Sequence, residues 1–182
     1  MKIKFDPNQQ FQQDAIKAVV DLFEGQPSDA GNFITRLQDR QASDAIKILK
    51  LDEVGAIGNN LILDEDAILQ NLRVIQDKNG LIISERLAGM NFSVEMETGT
   101  GKTYVYLRTI FELAKKYNFT KFIILVPSVA IKEGVNTSIR IMRKHFTELY
   151  AQPFDSFVYS GKSSEEVQSF ATSTNVQMYK SW

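Results

Sequence analysis

The residues of this sequence best suited to chemistry lie in one short run, Glu97–Thr103, which reads Glu-Thr-Gly-Thr-Gly-Lys-Thr. Gly99 and Gly101 let the backbone turn tightly and approach an anion without interference from a Cβ atom. Lys102 can reach the β- and γ-phosphates of a nucleotide, and the hydroxyl of Thr103 can bind Mg²⁺. The pattern therefore predicts a phosphate-binding loop whose members are Thr98, Gly99, Thr100, Gly101, Lys102 and Thr103.

The elements on either side of this loop must point its backbone amides at the phosphate. Hydrophobic patterning predicts a strand over Phe92–Met96 and a helix from about Thr103 to Tyr117. A helix that begins at the loop attracts an anion through its unpaired N–H groups and its dipole. Its buried face would consist of Leu107, Ile110, Phe111 and Ala114. The alternative interpretation of the loop is a glycine- and threonine-rich turn with a solvated lysine.

After this helix, strands and helices continue to alternate. Phe122–Val126 is an unbroken apolar run, typical of a parallel strand that is covered on both faces. The further predicted elements are a helix over 131–150, a strand over Phe157–Tyr159, a short helix over Glu165–Ala171 and a strand from Val176 to Tyr179. This alternation predicts an α/β fold with a parallel sheet. Ser160–Ser163 resembles a phosphate loop superficially, but it lacks a second glycine and is interpreted as a turn.

Before the loop, the first predicted element is a helix with a well-marked start. Asp6 is the expected N-cap, Pro7 suits the first helical position, and Gly25 ends the apolar stripe. Residues 26–60 are rich in turn-forming types, including a polar run over 38–44. The remaining predictions are strands over Leu61–Leu63 and Leu81–Ile83, a helix over 65–78 capped by Asp64, and a turn at Asn79–Gly80.

Composition excludes several classes of function. The chain has 182 residues, of which 43% are hydrophobic and 24% charged, and this indicates one globular domain with a substantial core. Cysteine is absent, and His145 is the single histidine, so a thiolate nucleophile, a zinc site and a Ser-His-Asp triad are all disfavoured. The net charge of −1 argues against nucleic-acid binding through bulk charge. Without a signal-peptide core or a long apolar run, we expect a soluble, cytoplasmic protein with no membrane partner.

Two segments resemble motifs of superfamily 2 helicases. The loop departs from the general phosphate-loop pattern, because Met96 stands where the first glycine is expected, and its Thr-Gly-Thr-Gly-Lys-Thr form resembles motif I of those helicases. Phe11–Ile16 resembles their glutamine motif, which implies that the amide of Gln12 reads the edge of adenine and favours ATP over GTP. Phe5 is a candidate to stack on the base, with a packing role as the alternative.

The run Phe92–Leu113 as a whole resembles the restriction (Res) subunit of type III restriction-modification enzymes. Lys121–Val135 resembles motif Ia of that family, and the stretches Leu22–Pro27 and Asn71–Arg73 match as well, so that the resemblance extends to about Gln177. It implies a RecA-like lobe that uses ATP and Mg²⁺ to move on double-stranded DNA. It also implies a methyltransferase (Mod) partner that binds S-adenosylmethionine.

The same resemblance assigns three regions and a DNA contact. Residues 1–25 would form the adenine-reading helix, 26–90 an inserted segment of mixed and loop structure, and 91–182 the strand-helix core around the loop. The connection after the Phe122–Val126 strand would touch the DNA backbone, with Ser128 and Lys132 contacting phosphates. The alternative is an ordinary strand-to-helix connection. Arg140, Arg143, Lys144 and His145 form either a DNA-facing strip or, as favoured here, a solvated helix face.

The departure from the family pattern concerns catalysis. Motor ATPases need an acidic motif after the loop, and none follows Lys102 in this sequence. Leu61–Asp66 looks like such a motif but precedes the loop, so Asp64 and Glu65 are interpreted as the cap and first turn of a helix. No catalytic set is therefore complete in this chain, the lobe is incomplete, and we expect weak or absent ATPase activity. An incomplete sheet would also expose an edge and favour self-association.

Two other functions remain open. The chain could be a non-catalytic nucleotide- or DNA-binding module, a truncated remnant that associates with a methyltransferase partner. A small-molecule kinase is disfavoured by Gln12 and by the match that follows Val126.

Overall fold

The computed structural model describes residues 6–35, 55–158 and 164–181. Its helices are α1 (Gln10–Val20), α2 (Glu65–Lys78), α3 (Lys102–Tyr117), α4 (Val129–Tyr150) and α5 (Ser164–Thr172). Its strands are β1 (Asn32–Thr35), β2 (Ala56–Asn59), β3 (Lys121–Leu125), β4 (Phe154–Val158) and β5 (Val176–Ser181). Short 3₁₀ helices cover Asp21–Phe23 and Ser28–Ala30. The interpretations of Phe5, of the polar run 38–44 and of Ser160–Ser163 lie outside the described residues.

A parallel three-stranded sheet is the centre of the described fold. Its order is β3-β5-β4, and Met178 on β5 pairs with Phe122 on one side and with Ser156 on the other. Val176 and Met178 on the central strand are completely buried. The predicted α/β class with a parallel sheet is therefore confirmed. The expectation that Phe122–Val126 is covered on both faces is wrong, because β3 is an edge strand of the described sheet and its Ile123 and Leu125 are exposed. The last two strands are longer than predicted at their described ends, since β4 begins at Phe154 and β5 extends to Ser181.

The helices α3 and α4 pack over this sheet through a shared aromatic core. The ring of Phe111 on α3 stacks on Phe146 at 4.8 Å and on Tyr150 at 5.1 Å, and it meets Phe154 of β4 edge-on at 5.0 Å. The face predicted for α3 is confirmed, because Leu107, Ile110, Phe111 and Ala114 are all buried. On α4 the middle of the predicted stripe is buried, whereas Ile131 and Leu149 at its two ends are exposed.

Helix α1 packs against α3, through a second apolar cluster that contains Ile16, Val20, Val105 and Leu113. The predicted start of α1 is wrong. The helix begins at Gln10, and Asp6 accepts a hydrogen bond from the backbone N–H of Asn8 instead of capping the helix. The reason is tertiary: the carbonyl of Pro7 accepts from the side chains of Gln13 and Arg108 rather than from a helical N–H. Gly25, at φ +94°, follows the last turn as predicted.

Between residues 26 and 90 the structure differs in three places from the elements that the sequence predicts. Strands β1 and β2 pair antiparallel where only turns were expected. The strand predicted for Leu61–Leu63 is wrong, because the side-chain amide of Gln26 pairs with the carbonyl of Asn60 and the N–H of Ile62. The strand predicted for Leu81–Ile83 is also wrong, and all three of its side chains are exposed. Helix α2 and the Asn79–Gly80 turn are confirmed.

The strand predicted in front of the loop, Phe92–Met96, is wrong as well. Among the described residues it pairs with no neighbouring strand, and a ladder cannot form without one. Its residues instead line one wall of an apolar cleft of ≈ 870 Å³, whose other walls are α1 and α2. No helix within the described ranges is long and apolar enough to cross a membrane.

Candidate functional site

The loop before α3 has the backbone geometry that its glycines predict. Gly99 and Gly101 lie in the left-handed region, at φ +82° and φ +86°. The hydroxyl of Thr100 donates to the carbonyl of Glu97 at 2.7 Å and closes the turn. Nothing lies within 4 Å of the position that a Cβ atom on Gly99 would take, so this side of the loop is open.

Helix α3 begins at Lys102, directly on the loop, and one residue before the predicted start. Its N-cap is Gly101, and no side chain caps the first turn. The first N–H groups of a helix have no partner within the helix. They therefore need an acceptor from outside it, and an anion at the helix N-terminus is such an acceptor.

The tertiary structure brings Gln12 to this loop from 88 residues away in the sequence. Its Nε2 atom donates to the carbonyl of Thr100 at 2.9 Å, and its side chain is buried on α1. A Cβ atom on Gly101 would lie 2.7 Å from the same Nε2 atom. Position 101 thus favours glycine for its positive φ, and a Cβ atom there would also push aside the end of the Gln12 side chain. The amide of Gln12 retains Oε1 as an acceptor.

The charged and hydroxyl groups of the loop stand at the first turn of α3. Lys102 is exposed, and Thr103 follows it half-buried. A single hydroxyl is a weak site for a divalent cation, and no group of three or more acidic or histidine side chains among the described residues is arranged to hold a metal ion. The donor set therefore fits Mg²⁺ only together with phosphate oxygens, which are the oxygen ligands that this ion prefers.

The acidic run before α2 is structural, as its position predicts. Oδ1 of Asp64 accepts from the N–H of Ala67 at 2.8 Å, and this is an N-cap. Glu65 and Asp66 occupy the first turn, where carboxylates complement the helix dipole. The prediction that Asp64 and Glu65 form the cap and first turn of this helix is confirmed.

The two predicted DNA contacts lie at the start of α4, at the carboxyl end of β3. Ser128 is the N-cap of α4, and its Oγ accepts from the N–H of Ile131 at 3.3 Å. Lys132 follows within the first turn and is buried, with 8% of its surface exposed. Ligands of parallel α/β sheets usually bind beyond the carboxyl ends of the strands. The assignment of these two residues to DNA stays a prediction.

The basic residues farther along α4 do not form one continuous strip. Arg143 donates to the carbonyl of Phe154 at 3.0 Å and lies over its ring. Lys144 pairs with Glu148 on the surface at 3.6 Å. The His145 ring contacts the hydroxyl of Tyr104 at 3.1 Å, and burial lowers the pKa of this histidine.

One polar group beside the site was not identified from the sequence. Arg108, on α3, donates through Nη1 to the carbonyl of Pro7 at 2.5 Å and through Nε to the hydroxyl of Tyr150 at 3.2 Å. The spacing of Arg108 and Glu112 indicates a helical ion pair, observed at 3.7 Å. No local pattern indicates the bond to Pro7, because 101 residues separate the partners.

Comparison with known proteins gives one consistent result. The family described as "Type III restriction enzyme, res subunit" matches residues 7–181. The EcoPI Res subunit of Escherichia phage P1 is 28% identical over 165 residues, which are 88% of this chain and 15% of the relative. The EcoP15I Res subunit of Escherichia coli is 36% identical over 109 residues, or 57% of this chain and 11% of the relative. The StyLTI Res subunit of Salmonella typhimurium is 52% identical over 62 residues, or 33% and 6%. The chain thus spans at most 15% of the length of these relatives.

Proposed function

Because the chain belongs to the type III restriction enzyme Res subunit family, we propose that it binds ATP at the loop 98–103 as part of an ATP-dependent, DNA-translocating restriction subunit. Its parallel sheet and covering helices form part of a RecA-like lobe, as in helicase-like proteins. The observation that carries the proposal is the uncapped start of α3, where Gly101 leaves the first-turn N–H groups for a ligand.

The loop is best suited to bind the phosphates of ATP. The amides of Gly99–Thr103 and the dipole of α3 stabilise the negative oxygens, while Lys102 neutralises charge on the β- and γ-phosphates. Thr103 would hold Mg²⁺ together with phosphate oxygens, and the ion would supply positive charge for the phosphates. Because Lys102 is exposed, its ammonium is free to reach a ligand that sits in the open side of the loop.

Gln12 supplies the selectivity for adenine. Adenine presents a donor at N6 and an acceptor at N7, which match the Oε1 and Nε2 atoms of an amide. Guanine presents an acceptor at O6 in place of the N6 donor, and an oxygen facing Oε1 is repelled. The bond from Gln12 to Thr100 fixes the amide relative to the loop, so that the group that contacts the base and the groups that contact the phosphates keep one relative position.

Hydrolysis of ATP would be phosphoryl transfer to water, for which this chain supplies positioning and charge neutralisation. The sequence after Lys102 carries no acidic motif that could activate the water. We therefore expect weak or absent turnover by the chain alone. Double-stranded DNA and a methyltransferase (Mod) subunit that binds S-adenosylmethionine are the partners of the whole enzyme. Ser128 and Lys132 are the proposed contacts to the DNA backbone, through a hydroxyl proton and an ammonium.

A second candidate function relies on the same loop. In it, the chain is a non-catalytic nucleotide- or DNA-binding module that assembles with a methyltransferase partner. Both functions use the same loop, so ATP binding supports either of them. ATP hydrolysis that disappears in Lys102→Ala would exclude the non-catalytic module.

The proposed function is tested by calorimetric titration of the chain with Mg-ATP and with Mg-GTP. ATP should bind more tightly than GTP, and Lys102→Ala should weaken ATP at least about tenfold, because a charge-assisted contact is lost. Lys115→Ala is the matched control, since it removes an exposed lysine from the last turn of the same helix. If the folded chain binds neither nucleotide, or if both lysine variants behave alike, the assignment of the loop is wrong.

A further inference from the structure

The segment before α1 is hydrogen-bonded to α3 at the carbonyl oxygen of Pro7. That oxygen accepts from Arg108 at 2.5 Å and from the side chain of Gln13 at 2.8 Å. The first bond is charge-assisted, and such bonds are about twice as strong as neutral ones. It joins two parts of the chain that are 101 residues apart, and it delays the start of α1 until Gln10.

Arg108 is itself held in one orientation. Its Nε donates to the hydroxyl of Tyr150, and this hydroxyl donates to Oε1 of Glu112 at 2.6 Å. Only 12% of the arginine side chain is exposed. Burial opposes the charge, but the bond to Tyr150 and the nearby Glu112 raise the pKa of Arg108, which stays cationic. A planar guanidinium with donors in two directions can make both bonds at once, whereas a lysine ammonium lacks this fork.

Two of the hydrogen bonds that fasten α1 lie near its N-terminal end, in addition to the apolar cluster that packs α1 on α3. At the N-terminal end of α3, the carbonyl of Thr100 accepts from Gln12. About 9 Å farther along the helix axis, Arg108 binds the carbonyl of Pro7. The apolar cluster and the bond from the hydroxyl of Tyr117 to the carbonyl of Val20 hold the body and the far end of α1. The bond from Arg108 to Pro7 therefore acts on the end of α1 that carries Gln12, and it fixes the plane of the Gln12 amide there.

We propose that Arg108 is a positioning residue for base selectivity, which holds the segment before α1 so that Gln12 presents its amide to the edge of adenine. The inference rests on the proposed ATP function, because it concerns the base that the same site selects. Arg108 does not touch the phosphates, and its effect passes through Pro7 and α1. Loss of its bond should therefore weaken binding of the base and leave binding of the phosphate chain unchanged.

The test measures the affinities of Mg-ATP, Mg-GTP and inorganic tripolyphosphate for wild type and for Arg108→Lys. Arg108→Lys should bind ATP about tenfold more weakly, as expected when the hydrogen bonds of Gln12 to adenine are misaligned, and it should lose the preference for ATP over GTP. Its affinity for tripolyphosphate should equal that of wild type. Arg86→Lys is the control, since it makes the same replacement at an exposed position away from the loop.

Tyr150→Phe is the second variant, and it tests the positioning role of Arg108 if Arg108→Lys does not fold. It removes the hydroxyl that orients Arg108 and keeps the ring that stacks on Phe111. A smaller loss of ATP preference, again with unchanged tripolyphosphate affinity, is expected. Equal weakening of all three ligands, or no change in any of them, overturns the positioning role of Arg108. If wild type binds none of the three, the proposed ATP function itself fails.

Discussion

Two helices of this protein, α3 and α4, begin in opposite ways. At α4 the side chain of Ser128 accepts from the N–H of Ile131, so the chain satisfies part of the helix end by itself. At α3 the N-cap is Gly101, which has no side chain to offer. The first end contributes to folding without a ligand, whereas the second gains its missing acceptor when an anion binds. The comparison shows that the helix at the candidate site lacks the side-chain N-cap that Ser128 provides for α4.

The largest effect should come from a side chain placed at the uncapped helix end. Gly101→Ala puts a Cβ atom 2.7 Å from Nε2 of Gln12 at a residue with positive φ. We expect ATP affinity to fall roughly thirtyfold, because left-handed strain and displacement of the Gln12 amide together cost about 2 kcal/mol. Calorimetric titration with Mg-ATP measures the loss.

Two other glycines serve as controls for this substitution. Gly99→Ala carries similar backbone strain but meets nothing within 4 Å, so it should weaken ATP less than Gly101→Ala does. Gly134→Ala, in the middle of α4, also meets nothing and should leave ATP binding unchanged, with stability raised by about 0.5–1 kcal/mol. Equal losses at positions 99 and 101 would mean that the contact with Gln12 does not matter.

A substitution at the capped start of α4 should change stability rather than ATP affinity. Ser128→Ala removes the acceptor for Ile131 and should lower the free energy of unfolding by about 1 kcal/mol, with no change in ATP affinity. Urea denaturation measures the first quantity and calorimetry the second. Ser138→Ala is the matched control, because its hydroxyl bonds only to the carbonyl of Gly134 inside α4. A loss of ATP affinity in Ser128→Ala without a loss of stability would contradict the contrast between the two helices.

The smallest effect concerns pH and the strand that leads to α4. Burial lowers the pKa of Lys121 from about 10.5 to about 8. Between these values the unfolded chain binds more protons than the folded one, so this residue makes stability rise with pH across that window. Lys121→Met should therefore be more stable than wild type at pH 7, and the advantage should shrink by about 1 kcal/mol at pH 10, allowing for the partial exposure of the side chain.

Urea midpoints of the two proteins at both pH values measure this difference. Lys115→Met is the control, since Lys115 is exposed and should show a constant difference from wild type. The bond from Lys121 to the carbonyl of Ser173 opposes the effect and sets its small size. A difference that does not change between pH 7 and pH 10 would show that burial does not perturb Lys121.

Local signals in the sequence were sufficient for several elements. Asp64 was predicted to cap α2, and it does. The 3.6-residue period predicted the buried face of α3, because a helix needs no partner to define its faces. The family resemblance drawn from Phe92–Leu113 and Lys121–Val135 is confirmed by the match over residues 7–181. The division at residues 25 and 90 stays a prediction.

The wrong strand predictions share one physical cause, which is that a strand depends on a neighbouring strand. Leu61–Leu63, Leu81–Ile83 and Phe92–Met96 are apolar enough for strands, yet none of them has a paired strand in the described structure. Conversely, β1 and β2 are short and contain turn-forming residues, but Asn32 and Thr35 find partners in Asn59 and Ala56. Pairing partners are distant in sequence, so propensity alone cannot predict them.

The candidate site also has one part that local sequence determines and another that depends on tertiary contacts. The sequence by itself determined the loop, since Gly99, Gly101, Lys102 and Thr103 act through spacing along the backbone. Only the tertiary structure decided that Gln12 binds the carbonyl of Thr100 and that Arg108 binds the carbonyl of Pro7. These hydrogen bonds span 88 and 101 residues. The packing of α1 on α3 creates them, and no local pattern specifies where a carbonyl oxygen will meet a side chain from a distant part of the chain.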